Sequence, residues 1–365
     1  MDNELIHHIA LTMVSQIGDL HARELILHFG SAEKIFKARK SDLEKLPGIG
    51  EIRARAIKDF KDFSKAEEEI KFIEETQIQA LSILHDNYPK RLLNCYDAPS
   101  LLYFRGNANL NAEKIISIIG TRNNTDYGKE VAKKIIQELA PFNVLVVSGL
   151  AYGVDSIAHK LALSENLQTV GVLAHGLDRI YPLENTSLSK EMIQQGGLLT
   201  DFMTGTKPDK QNFPKRNRIV AGISDATLVI ETSLKGGSMI TAEIANSYNK
   251  DVFAVPGKIS DSKSEGCNYL IKANKAALVT CGKDILDFMN WDHPVQKPRA
   301  QRELFVELSA DEESVVQVLQ QLGAVHIDEL YVKTGLRSSA VAAAILDLEL
   351  QNIIEVLPGK IYKLL

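Results

Sequence analysis

The sequence predicts an α/β protein: a Rossmann-like parallel sheet core, with an N-terminal all-α helix-hairpin-helix (SAM-like) domain and a C-terminal winged-helix domain. Three observations predict it. Short runs rich in Val, Ile and Leu alternate with amphipathic stretches from residue 113 to about 282; one word, Ile-Gly-acid-aliphatic-x-Ala-Arg, occurs twice in the first sixty residues; and the last sixty read as three helices followed by a hairpin. At 365 residues the chain exceeds one ordinary core, because domains usually span roughly 100–200 residues. The changes of pattern put the domains at 1–80, 113–290 and 303–365, with a connector at 81–112 and a linker at 291–302.

The repeated word is IGDLHAR at 17–23 and IGEIRAR at 49–55. In the second copy, LPGIGEIRARAI (46–57), Gly48 and Gly50 permit a tight turn, Ile49 anchors it, and a helix is expected from Glu51. Such glycines let backbone amides approach a phosphate, which makes Gly48 and Gly50 candidate secondary nucleic-acid contacts. The first copy has Gly18 alone, without the Pro-Gly lead-in, and reads as a packing module. Residues 65–80 read as a helix, and 84–107 as extended chain broken by Pro89 and Pro99, a connector with some strand. Tyr88, Tyr96, Tyr103 and Phe104 in that stretch read as packing rather than as base-stacking residues.

Strands are expected near 114–120, 143–149, 168–176, 197–202, 226–232, 251–257 and 276–282. Apolar runs separated by amphipathic helices argue for a parallel sheet covered on both faces, joined by right-handed crossovers. Ligands of such sheets sit outside the carboxyl ends of the strands, and here several strands end in glycine-bearing loops: GTR (120–122), SGLAYGVD (148–155), AHG (174–176), LKGGSMITAE (234–243) and the Pro-Gly of VPG (256–257). Gly236-Gly237-Ser238, opening a helix, offers N–H groups and a hydroxyl to an anion. FPKRNRIVAGIS (213–224) places Lys215, Arg216 and Arg218 at a helix start, where the backbone is already positive. That crowding costs stability unless an anion offsets it. Lys207 and Lys210 extend the same patch, against Asp209 alone. The net charge of −5 does not argue against a polyanion: after position 300 there are 5 basic and 10 acidic residues, and the rest of the chain is balanced at 37 against 37.

Other chemistries find less support. There is no GxxxxGK[ST] loop, no GxGxxG after the first strand, no GxSxG elbow and no HExxH helix. Cys95, Cys267 and Cys281 are widely spaced, so neither a disulfide framework nor a zinc site is indicated, and no metal or cofactor is expected. His159 and His175 read as structural, and Asp155 and Glu243 as the carboxylates nearest the crevice. The N-terminus is acidic, and no apolar run approaches the ~18 residues of a membrane span. A cytoplasmic protein without a membrane partner is expected. In the last domain the expected recognition helix has no Lys or Arg after Arg337 and carries Asp347 and Glu349. An acidic helix reads phosphates poorly, so protein contact or packing is expected there.

Taken in order, IIGTRNNTDYG, VVSGLAYGVDSIAH, GLDRIYPLEN, NFPKRNRIVAGIS, GGSMITAE and VFAVPG resemble the DNA-processing protein A (DprA, or Smf) family, across the whole central domain. The resemblance implies a cytoplasmic bacterial protein that binds and protects single-stranded DNA, loads the RecA recombinase in natural transformation, and forms a homodimer through its central domain. It implies no enzyme. The family's Gly-x-Arg motif falls on Gly120 and Arg122, its Arg-Asn-Arg motif on Arg216, Asn217 and Arg218, its Ser-Gly-x-Ala-x-Gly motif on Ser148, Gly149, Ala151 and Gly153, and a further loop on Gly237, Ser238 and Thr241. Apart from Ala151 and Gly153, and with Lys215 and Gly236 added, these are the candidate DNA-binding residues, with Lys207 and Lys210 as candidate secondary contacts. The chain departs from the pattern at Gly236, where serine is common, and at Leu183 and Glu184, where some relatives carry a basic residue. A second resemblance, of GGS-x-x-T-x-E to nucleoside-monophosphate phosphoribohydrolases, implies Glu243 and Arg122 as that alternative's catalytic pair. Those enzymes carry Pro-Gly-Gly where this chain has Leu234 and Lys235 ahead of its glycines, and they lack the flanking domains.

Overall fold

The apolar runs of the central region become strands of a single sheet, which two earlier strands extend. The computed structural model describes residues 3–291, 308–351, 353–357 and 359–364, and these fall into two units, Met1–Val295 and Gln296–Leu365. The strands of the first unit are β1 (Gln79–Ser82), β2 (Leu101–Gly106), β3 (Ile115–Ile119), β4 (Leu145–Ser148), β5 (Thr169–Val172), β6 (Gly196–Thr200), β7 (Ala226–Val229), β8 (Asp251–Ala254) and β9 (Ala277–Leu278). Their spatial order is β1-β2-β6-β5-β4-β3-β7-β8-β9. From β3 to β9 all pairings are parallel, whereas β1 and β2 join antiparallel at the β6 side. The segment expected as a connector therefore contributes its own edge of the sheet. Every residue of β3, β4, β5, β6 and β7 is buried, as befits strands covered on both faces.

The crossovers include α8 (Asp126–Leu139), α9 (Val154–Ser164), α10 (Thr186–Gln194), α11 (Asn212–Ile223) and α12 (Gly237–Ser247); α13 (Glu265–Lys272) and α14 (Gly282–Phe288) follow β8 and β9. The chain order reverses at β3, which has β4 on one side and β7 on the other. This is a topological switch point, where the loops after neighbouring strands diverge and leave a crevice at the carboxyl edge.

Among the described residues, six helices precede the sheet: α1 (Asn3–Met13), α2 (Asp19–Phe29), α3 (Ala32–Lys37), α4 (Lys40–Glu44), α5 (Gly50–Asp59) and α6 (Ser64–Thr76); the short α7 (Lys90–Leu93) lies between β1 and β2. Gly48 and Gly50 adopt φ of 82° and 59°, left-handed conformations that suit glycine, and they form the tight turn before α5. The two copies of the repeated word do different work. In the first, Arg23 donates to the carbonyls of Cys95 and Leu93, and Asp19 pairs with Arg218, so this copy docks onto the central domain. In the second, Ile52 is 74% exposed and Arg53 donates to the carbonyls of Gln16 and Gly48, tying the two hairpins together. Tyr88, Tyr103 and Phe104 are buried in the core, as packing residues should be, and Tyr96 lies edge-on against Tyr248. The three cysteines are free thiols.

The second unit contains α15 (Ala310–Leu322), β10 (Val325–His326), α16 (Ile327–Thr334), α17 (Ser338–Leu350), β11 (Ile354–Leu357) and β12 (Ile361–Leu364). The strands pair antiparallel in the order β10-β12-β11, the arrangement of a winged helix. Ser309 and Glu312 form a reciprocal capping box at the start of α15. On α17 the exposed positions include Ala342, Ala343, Leu346, Asp347 and Glu349, which offer no cation. The expected linker after Trp291, and Pro358 of the expected wing turn, lie outside the described residues.

Candidate nucleic-acid interface

The crevice at the switch point is an open groove with a solvent-accessible volume of about 740 Å³. Its walls come from the loops after β3, β4 and β7 and from the first turns of α11 and α12, including Gly120, Thr121, Arg122, Gly149, Asp155, Lys210, Phe213, Arg216, Asn217, Thr232, Ser233, Gly236, Gly237, Ser238 and Thr241. Two helix N-termini converge there, and their unpaired first-turn amides favour an anion.

Each wall is fixed by identifiable contacts. The loop after β3 is held by Glu231, whose backbone carbonyl accepts from Thr121 N at 2.7 Å and whose carboxylate accepts from the Thr125 amide at 2.9 Å and the Thr125 hydroxyl at 2.5 Å. Gly153, at φ 77°, passes so close to Thr121 and Arg122 that a side chain would strike their backbone. Arg122 thereby points its guanidinium over the Phe213 ring, 5.3 Å from the centroid. Arg216 approaches the same ring at 6.0 Å and donates through Nη1 to the carbonyl of Val172. It threads past Gly149, where any Cβ would collide with the Arg216 guanidinium and the Asp155 carboxylate. Burial pulls the Arg216 guanidinium below its ordinary pKa; Asp155 opposes that shift and the nearby Arg122 adds to it. Beside the groove a much smaller pocket, with a solvent-accessible volume of about 40 Å³, is lined by residues that include Tyr152, His175, Tyr181, Phe213 and the same two arginines.

The structure also separates residues that the sequence groups together. Arg218 is not a wall of the groove. It is buried against Asp201 at 2.7 Å and Asp19 at 2.8 Å, and it donates to the carbonyl of Asp97. In a helix, residues two apart point about 200° away from each other, so Arg216 and Arg218 cannot share a face. Lys215 and Lys207 are exposed and are not among the groove's lining residues, whereas Lys210 is. Ser148 is fully buried and donates its hydroxyl to the Ile118 carbonyl at 2.6 Å, which ties β4 to β3 and leaves nothing for a ligand. Gly236 lines the groove but its amide donates to the Ser233 carbonyl at 2.9 Å, and the Ser238 hydroxyl donates to Thr232 at 2.6 Å. Gly237 has open space around it. Gly48 and Gly50 lie outside the groove lining.

His159 is structural, as read from sequence: it is fully buried and bonded to the Gly149 carbonyl at 2.6 Å and Thr169 Oγ1 at 2.7 Å. Glu243 is exposed and faces Lys275 at 3.7 Å, and of the pair implied by the hydrolase resemblance Arg122 lines the groove while Glu243 is not among its lining residues. Among the described residues no cluster of His, Cys, Asp and Glu is arranged to hold a metal ion, and no helix is long and apolar enough to cross a membrane. The aromatic floor, Phe213, is not among the sequence candidates, although its place just ahead of the basic word is a usable signal.

Comparison with known proteins agrees with this architecture. Residues 79–290 match the family model of DNA recombination-mediator protein A, 296–360 match the DprA winged helix domain, and 31–60 match the helix-hairpin-helix motif. The chain is 35% identical over 277 residues to Protein Smf of Synechocystis, covering 74% of this chain and 69% of that protein. It is 33% identical over 268 residues to the DNA processing protein DprA of Bacillus subtilis, covering 73% and 90%. Among solved structures, DprA of Streptococcus pneumoniae superposes with a TM-score of 0.68 at 32% identity, covering 77% of this chain and 97% of that one. The Helicobacter pylori protein, described for its single-stranded DNA binding mode, gives 0.54 at 32% identity over 59% and 97%. With its central domain matched end to end and its winged helix matched separately, the chain belongs to the DNA recombination-mediator protein A (DprA/Smf) family.

Proposed function

We propose that this chain acts in the cytoplasm as a sequence-independent binder of single-stranded DNA and passes the strand to a RecA-class recombinase. The observation that carries the reading is the floor of the groove, where Arg122 and Arg216 flank the Phe213 ring between two helix N-termini. Two guanidinium groups and Lys210 suit successive phosphates, and an aromatic face suits a base of any identity. Among the described residues that line the groove, Asp155 is the one acidic side chain, too little to reverse the sign. The single-stranded DNA binding mode for which the Helicobacter pylori relative is described supports the choice of ligand, and the family's description as a recombination mediator supports transfer to a recombinase. Pairing of two copies through the central domain would lengthen the track along the strand.

The test is fluorescence anisotropy with labelled oligo-dT and a matched duplex over a range of salt. Arg122→Ala and Arg216→Ala should each weaken binding about tenfold or more, since hydrogen bonds to charged groups contribute about 1.5–3 kcal/mol. Each should also flatten the slope of log affinity against log salt by about 0.7 for every phosphate no longer neutralised. Unaltered affinity and slope in both variants would reject the groove as the binding site.

A further inference from the structure

The segment 201–218 carries much of the groove, and the N-terminal helices hold it at both ends. Near its start, the Thr204 amide donates to both carboxylate oxygens of Glu69 at 3.0 Å, and the Thr204 hydroxyl to one of them at 3.1 Å. Glu69 belongs to α6 and is buried. At the far end Arg218 meets Asp19, in the first turn of α2, at 2.8 Å. The segment is closed on itself by the pair Asp201–Arg218, and the central domain holds its two flanks as well: Asp178 accepts from the Gly205 amide at 3.1 Å, the Thr206 carbonyl accepts from the Gly176 amide at 3.2 Å, and Arg216 donates to the Val172 carbonyl. Between the two N-terminal anchors lie Pro208, Lys210, Phe213, Pro214, Arg216 and Asn217, all of them walls of the groove. Among the described residues, the side-chain hydrogen bonds at 207–212 stay within the segment, from the Gln211 amide to Asp209 and from Asn212 to the Lys207 carbonyl. The position of 207–212 is therefore set by its flanks, which the N-terminal helices and the central domain hold together.

We propose that Asp19 and Glu69 are positioning residues for the groove, so that the N-terminal helical layer serves as a brace that keeps Lys210, Phe213 and Arg216 facing the strand. The inference rests on the single-strand reading given above. A binding segment that spends only a fraction of its time in the competent arrangement binds more weakly by that fraction. Loss of the brace thus lowers affinity although neither carboxylate touches the ligand.

The sign of the effect separates bracing from simple electrostatics. Asp19→Asn and Glu69→Gln each remove a negative charge, and Coulomb's law alone would then strengthen binding of a polyanion. Bracing requires the opposite. In anisotropy with labelled oligo-dT at fixed salt, the double variant is expected to bind about tenfold more weakly than the wild type, with each single variant in between. Asp19→Glu, which keeps the charge, should recover part of the loss. Amide hydrogen exchange should quicken at Thr204 and across 201–218 while β3 and β7 stay protected, which distinguishes a released segment from a loosened fold. Wild-type or tighter binding in the double variant, with an unchanged exchange pattern, would overturn the proposal and leave the single-strand reading intact. If the wild type itself fails to bind oligo-dT, that reading falls, and the exchange measurement alone decides whether the layer holds the segment. Should the double variant fail to fold, the two single variants carry both measurements.

Discussion

Arg216 and Arg218 sit two residues apart in α11, both buried, and they meet opposite surroundings. On the groove face, Arg216 donates to one backbone carbonyl and to the neutral Asn217 Oδ1 at 3.2 Å, with the Asp155 carboxylate in its field and a like charge in Arg122, and burial lowers its pKa. On the other face, Arg218 is gripped by Asp201, Asp19 and the Asp97 carbonyl, and despite burial its pKa rises because the aspartates outweigh the loss of water. Burial by itself therefore says little about what an arginine is for. The informative quantity is whether its charge is already answered: a buried cation with too few anions beside an open groove is ready for one from outside, and a buried cation between two carboxylates is part of the scaffold.

The largest effect should come from breaking the scaffold side. Arg218→Ala leaves Asp201, whose side chain is 7% exposed, buried beside Asp19 without its cation. Removing one partner of such a pair costs about 3–5 kcal/mol, most of it the stranded charge. Chemical denaturation should show that loss in the midpoint, and adding Asp201→Asn should recover part of it. A cost below about 1 kcal/mol would erase the distinction between the two arginines.

A smaller change should strike only the groove side. At Gly149 an added Cβ meets the tips of Arg216 and Asp155 rather than backbone, so both side chains can swing away. Gly149→Ala should therefore leave stability within about 1 kcal/mol yet weaken oligo-dT binding about tenfold by displacing Arg216. Combined with Arg216→Ala it should add almost nothing, because both changes remove the same interaction. Full additivity in that cycle would mean that Gly149 contributes to the strand directly, through its own amide, and not by making room.

How much of this could be read in advance follows the same division. Of the seven parallel strands, β3 to β7 were legible because both faces are buried, which turns each into an apolar run, and β8 and β9 lie in apolar runs although Asp251 and Leu278 are exposed. β2 was legible in part, since 84–107 reads as a connector with some strand and Leu101–Phe104 is a buried apolar run, whereas β1, which starts within the expected helix at 65–80, and the pairing of both with β6 were not. The loops of the groove were legible from glycines at strand ends, but their reasons were not. Gly149 is small because an arginine from a distant helix passes over it, and Ser148 spends its hydroxyl on a neighbouring strand; neither neighbour is implied by local sequence. The divergence of Arg216 and Arg218 was within reach, because helical geometry alone forbids a shared face. What sequence lacked was the identity of Asp19 and Asp201 as the answering charges, separated from Arg218 by 199 and 17 positions.

The smallest expected effect tests where the groove ends. Lys215 directly precedes Arg216 but is exposed, and its backbone carbonyl accepts from Arg218 Nε at 3.1 Å. It adds to the positive field without a fixed place in the wall. An exposed charge near a polyanion acts mainly through a screened, long-range attraction, which fades beyond about 8 Å at physiological salt. Lys215→Ala should therefore lower affinity less than about twofold at physiological salt and somewhat more at low salt, with no change in stability. A tenfold loss that persists at physiological salt would place a phosphate against Lys215. The strand would then leave the groove over the exposed shoulder of α11, and the contrast between the two buried arginines would be only part of how this helix meets DNA.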